Sequence, residues 1–182
     1  METATITKTK WTLDPAHSEI GFKVKHMMIT NVSGSFGKFD VEAQTEGDDF
    51  TTATFTFTAD LNTLTTKNTD RDNHLKSADF FDASNHPTLK FVSTKFDKKD
   101  DENYVLYGTL TIKEVTKTIK LNVEFGGIGK DPWGNEKAGF TLSGKISRTD
   151  FGLNWNAALE TGGVLVSEEV KLLGDIQLIK QA

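Results

Sequence analysis

Apolar and polar side chains alternate at period two along most of this chain, the pattern of strands that bury one face. Between Ser18 and His26, Ile20, Phe22 and Val24 point one way while Glu19, Lys23 and Lys25 point the other. Phe39, Val41 and Ala43 alternate with Lys38, Asp40 and Glu42. The cleanest run sets Ala53, Phe55, Phe57, Ala59 and Leu61 against Thr52, Thr54, Thr56, Thr58 and Asp60. The pattern returns at Leu89 and Phe91. A hairpin follows, with Tyr104, Leu106, Leu110 and Ile112 on one strand, a turn over residues 113–116, and Ile119, Leu121, Val123 and Phe125 on the return. Ala138, Phe140, Leu142 and Ile146 mark another strand, and Val166, Val170, Leu172, Ile176 and Leu178 the last. The expectation is an all-β chain of about eight antiparallel strands joined by short turns, which suits a barrel or a sandwich. The length of the strands favours a single extended antiparallel β-barrel.

Two segments break the rhythm. In residues 65–87, Arg71 to Lys76 read as one or two helical turns with Asp70 as N-cap, a short helical insertion near residues 70–82. Residues 82–87 carry turn chemistry. The second irregular stretch covers residues 154–163 and ends in Gly162 and Gly163. No linker or internal repeat divides the chain. The domain reading is an N-terminal extension over residues 1–10 and one barrel domain over 11–182.

Composition narrows the function classes. The chain has 182 residues, 36% of them apolar and 26% charged, which is the make-up of one globular domain. Its net charge of -5 argues against nucleic acid as a partner and against electrostatic docking on anionic lipid. No apolar run reaches the roughly 20 residues of a membrane-spanning helix, so no stable membrane insertion is expected. With no cysteine, disulfides, thiol catalysis and thiolate metal sites are excluded. Residues 1–10 lack the apolar core of a secretory signal, so the chain as written reads as cytoplasmic. A mature periplasmic form whose signal was replaced by a start methionine is the rival reading.

Candidate chemistry is sparse. His17, His26, His74 and His86 show no spacing of a known zinc motif, so no metal site is expected. The run from Asp70 to His74 lacks the central Gly and the distal Glu of a calcium loop. Asp79 and Asp82, which bracket Phe80 and Phe81, read as turn caps. The glycines at 126, 127 and 129 follow a strand, but no helix follows them to hold a phosphate. No catalytic constellation emerges. The inward face is apolar, and an eight-stranded barrel is either filled by such side chains or holds one small ligand. Both readings use the same residues. Ser18, His26 and Arg148 fall on the inward face by register, where they would orient a polar head group or sit at strand ends bonded to loops.

Several segments in order resemble the YceI-like family of bacterial polyisoprenoid-binding proteins. The first runs from Trp11 to Ser18 with Ile20, Gly21 and Phe22. The most specific runs from Arg71 to Ser77 and on to Phe80, Phe81 and Asp82, followed by His86, Pro87 and Phe91. The hairpin from Gly108 to Lys117 is similar to a third, with Glu114 standing where the family usually has Gly. Ala138, Gly139 and Phe140 with Arg148 to Gly152, and then Val164 to Leu172, complete the set. The resemblance covers residues 11–180. It implies a lipocalin-like barrel around an apolar tunnel that holds a long-chain amphiphile.

On that resemblance the expected function is non-enzymatic binding, sequestration or transport of a lipid: a polyisoprenoid, an isoprenoid quinone or a fatty-acid derivative. No cofactor is required beyond such a bound lipid. The expected tunnel lining is Phe22, Val24, Phe39, Phe55, Phe57, Phe80, Phe81, Phe91, Leu106, Leu121, Val123, Phe140 and Leu142, with Ser18, His26 and Arg148 as weaker head-group candidates. The charged Arg71 and Asp72 are expected to be structural. The alternatives are a structural or stress-related interaction protein with a filled barrel, and an enzyme acting on a lipid head group. A homodimer through a strand edge or barrel face is a further partner reading.

Overall fold

A computed structural model of the protein describes residues 8–156 and 165–181. Most of the expected N-terminal extension and the Gly162-Gly163 end of the second irregular stretch lie outside the described residues.

The strands are β1 (Lys8–Leu13), β2 (Glu19–His26), β3 (Thr30–Phe36), β4 (Phe39–Glu46), β5 (Asp49–Asp60), β6 (Leu64–Thr65), β7 (Thr88–Lys98), β8 (Asn103–Ile112), β9 (Val115–Lys130), β10 (Glu136–Ser147) and β11 (Val166–Lys180); one helix, α1 (Thr69–Lys76), follows β6. All pairings are antiparallel. Eight of these strands close into a barrel in the order β1-β4-β5-β7-β8-β9-β10-β11, with β1 pairing back onto β11. The expected architecture is therefore present, but its membership differs by one strand. The alternating run at residues 18–26 is β2, which continues the sheet beyond β11 with β3 and β6. The ring is closed instead by β1, so Lys8 to Lys10 belong to the barrel and not to an extension.

β1 and β2 lie end to end along the same neighbour, β11, separated by a 3-10 turn at Pro15–His17. Pro15 has no N–H to give a ladder, and the Asp14 side chain accepts from Ala16 N to cap the turn (3.2 Å). The buried Asp14 carboxylate also takes Lys137 Nζ at 2.6 Å and His17 Nδ1 at 2.8 Å. The hydrogen bond from Lys137 holds its pKa below the usual carboxylate range against the opposing effect of burial.

Two further expectations shift. The β8–β9 turn needs only Lys113 and Glu114, because Ile112 already pairs with Val115; Lys113 takes the left-handed conformation (φ 58°). The helix N-cap is Asn68, whose side chain accepts from Arg71 N at 3.0 Å, while Asp70 sits in the first turn with Asp72, where both complement the helix dipole.

The inward-facing side chains divide along the barrel axis. At the end that carries the β4–β5, β7–β8 and β9–β10 turns, they meet across the interior. Phe50 contacts Trp11, Phe125 and Phe140 with ring centroids 4.9, 5.1 and 5.2 Å apart. Phe55 reaches Phe140 at 5.9 Å, although β5 and β10 are not neighbours. Trp11 is fully buried and its indole N–H donates to Thr45 Oγ1 at 3.0 Å. Strict alternation would turn Phe50 outward with Thr52; a register shift between Gln44 and Glu46 accompanies its inward turn. Toward the opposite end, inward residues of the same strands become only half-buried: Phe57 after Phe55, Leu142 and Ile146 after Phe140, Leu172 and Val170 before Ile176. One end of the barrel is plugged by aromatics and the other is hollow.

Candidate functional site

The hollow end is a cavity of about 510 Å³, within the ~300–1,000 Å³ range of small-molecule sites. Its wall includes β11 from Leu178 to Val166, a strand path of about 40 Å. β2 contributes Ile20, Phe22, Val24 and His26; β3 contributes Val32 and Phe36. Phe22 can lie flat against β3 because position 34 is glycine: a Cβ there would sit 2.3 Å from the ring's Cζ. Gly108 makes the same allowance for Phe91 (2.4 Å).

Twelve of the thirteen expected lining residues face this cavity: Phe22, Val24, Phe55, Phe57, Phe80, Phe81, Phe91, Leu106, Leu121, Val123, Phe140 and Leu142. Phe39 does not. Its ring packs on Phe57 at 6.1 Å, and Phe57 makes the wall there. Phe39 lines a separate recess with Lys38 and Pro87.

The mouth is built from α1, the segment after it and residues 148–156. An isolated helix of eight residues is marginal in water. α1 is held by Thr66, which is buried: its N–H and hydroxyl donate to Asp72 Oδ1 (2.7 and 2.5 Å), and its hydroxyl and carbonyl oxygens accept from Arg71 (both 2.8 Å). Arg71 and Asp72 are thus structural, through strand-end backbone, in line with the expectation. Behind them His74, Phe80 and Trp155 form an aromatic cluster, with His74 edge-on to Trp155 at 4.6 Å and to Phe80 at 5.2 Å. His74 Nε2 lies 2.9 Å from Asp79 Oδ2.

The family model of the YceI-like domain matches residues 11–178. The chain belongs to the YceI-like domain family. A UPF0312 protein of Staphylococcus epidermidis is 43% identical over 164 residues, 90% of this chain and 93% of its own length. The crystal structure of the Campylobacter jejuni YCEI protein is similar at 33% identity, with a TM-score of 0.76 and all of both chains covered. A polyisoprenoid binding domain from Saccharophagus degradans shares the fold at 13% identity and a TM-score of 0.65, covering 94% of this chain and 98% of its own.

In this YceI-like barrel the three head-group candidates take different places. Ser18 does not reach the cavity. Its hydroxyl donates to Gln177 O (3.3 Å) and accepts from Gln177 N (2.9 Å), filling the ladder gap where β1 gives way to β2. Arg148 lines the cavity, but its guanidinium is buried and donates to four carbonyls, those of Leu153, Trp155 (2.9 Å), Val166 (3.2 Å) and Ser167 (2.8 Å). Burial pushes its pKa down from the usual arginine value. It ties two chain segments together at the mouth. His26 lines the cavity at the end of β2.

The alternation reading did not include β3, whose Val32 and Phe36 line the cavity on either side of Gly34. It also missed His74, Leu75 and Trp155, which reach the cavity from non-strand segments where period two has no meaning. Among the described residues no group of three or more His, Asp or Glu side chains converges to hold a metal.

Proposed function

We propose that this barrel binds a long-chain amphiphilic lipid, a polyisoprenoid or a chain of similar shape, with the tail in the cavity and the polar head at the mouth. The observation that carries the reading is an elongated apolar cavity, plugged by aromatics at one end and bordered by His26, Arg71 and His74 at the other. The name of the Saccharophagus degradans domain, which shares the fold, supports the chemical class. Each methylene moved from water into the cavity contributes about 0.8 kcal/mol, so about ten give ~8 kcal/mol before the costs of association. Burial of the tail thus supplies the main driving force, and it grows with chain length without one specific polar contact. Head-group selectivity is therefore loose, and isoprenoid quinones and fatty-acid derivatives belong to the same reading.

The role is carriage or sequestration rather than catalysis. Three of the polar side chains at the mouth are engaged in structural bonds, His74 with Asp79, Arg71 with Thr66 and Arg148 with backbone carbonyls. Native mass spectrometry of gently purified protein, followed by organic extraction, is expected to release a stoichiometric prenyl or acyl compound. Leu142→Trp, which fills the cavity from β10, is expected to keep the fold and lose the load. A protein that arrives empty and takes up neither added prenyl alcohols, quinones nor fatty acids would end this reading.

A further inference from the structure

The β2–β3 turn is built from residues that such a turn does not favour. Met27, Met28 and Ile29 are 44%, 58% and 75% exposed, three large apolar side chains in sequence at the tip of a hairpin. Met27 and Met28 also adopt positive φ (53° and 63°), conformations that Gly or Asn take more readily. Backbone strain held by side chains that gain nothing from water points to a partner for those side chains.

The surroundings identify that partner. The tip adjoins the cavity mouth: Met27 N donates to Leu165 O at 2.8 Å, and His26, Leu165 and Val166 on either side of this contact all line the cavity. Behind the tip the outer face carries Lys25, Lys23, Lys171 and Lys145 against the exposed Glu168 and Glu169, which sit in the β11 irregularity opposite Lys25. Lys25 is exposed two residues back, and Lys23 stands directly opposite Lys171, which stands opposite Lys145, on three neighbouring strands. Like charges abreast repel in an isolated sheet and are relieved by an anionic surface. The ion pair of Lys145 with Glu169 is a loose contact of 3.7 Å. Lys25 and Lys23 lie about 7 and 13 Å behind Met27 along the strand. With the tip in the acyl boundary, Lys25 stands at headgroup depth and the lysine row faces the bilayer's negative surface.

We infer that the Met27–Ile29 tip docks the barrel onto an anionic bilayer surface and places the cavity mouth against the membrane. This rests on the lipid reading of the cavity: cargo then passes between bilayer and barrel without crossing water. Local charge prevails here over the net negative charge of the whole chain, because screening limits each interaction to about 10 Å.

The test is flotation of the full chain with phosphatidylcholine vesicles, with and without phosphatidylglycerol. The wild type is expected to float with the anionic vesicles. Met28→Ser with Ile29→Ser should lower partitioning by about tenfold or more. Lys23→Gln with Lys25→Gln should remove the preference for phosphatidylglycerol. Trp133→Ser, an apolar side chain 83% exposed at the plugged end, should change nothing. Ile29→Ser alone serves if the double variant does not fold. A wild type that stays unbound, or a tip variant that floats as well as the wild type, overturns the inference. Uptake of a prenyl alcohol from detergent micelles, measured in parallel, reports the cavity alone. Uptake without flotation sinks the docking tip and leaves the cavity reading intact; flotation without uptake does the reverse.

Discussion

Gly34 shows how one missing methyl shapes the site. The Phe22 ring occupies the space that any Cβ at position 34 would need, so the ring lies along the wall rather than across the cavity. Gly34→Val is expected to drive Phe22 inward, at a cost of about 1–3 kcal/mol for the displaced packing. The extracted lipid per mole of protein should fall, and Phe22→Ala in the same chain should restore it. An undiminished load in Gly34→Val would show that this ring does not limit the cavity. Arg148 makes the opposite point at the same scale. Its inward register was legible, but the sequence does not reveal that carbonyls nearby in space occupy its guanidinium.

At the scale of elements, α1 has little face of its own to bury, and none of its residues is fully buried. It is positioned by the Thr66 hydroxyl, which donates to Asp72 and accepts from Arg71. Thr66→Val keeps the shape and removes both bonds, leaving part of each charge unsatisfied, at about 1–3 kcal/mol. Amide exchange over residues 69–76 should quicken while the barrel strands stay protected; unchanged exchange would mean that the helix is held by its aromatic neighbours alone. The strands that sequence reading located are those that alternate cleanly over many residues, β5 foremost. β1 and β3 escaped it for a physical reason: each is short and mostly polar, and each pairs with a strand on both sides. β1 sits between β4 and β11, and β3 between β2 and β6. Strand formation there is a property of the neighbours, and no local window contains it.

For the whole molecule, the division into a plugged and a hollow end predicts uneven sensitivity to truncation. Phe50→Ala removes a ring that touches three others and should cost about 3–5 kcal/mol by denaturant unfolding. Leu142→Ala, on the cavity wall, should cost about 2 kcal/mol or less, since its side chain already lacks contacts on one side. Equal costs would contradict a permanently hollow end.

The alternation of apolar and polar residues was enough to determine about eight antiparallel strands, suited to a barrel or a sandwich, and most of their inward set, because facing inward or outward is decided by a period of two along a single strand. Which strand closes the ring, and whether inward side chains meet or leave a void, was decided only in three dimensions. Phe50 and Phe140 meet and fill the barrel, while Leu142, two residues further along β10, opens onto empty space. The difference lies in what stands opposite each residue, and that distance is set by closure of the whole sheet.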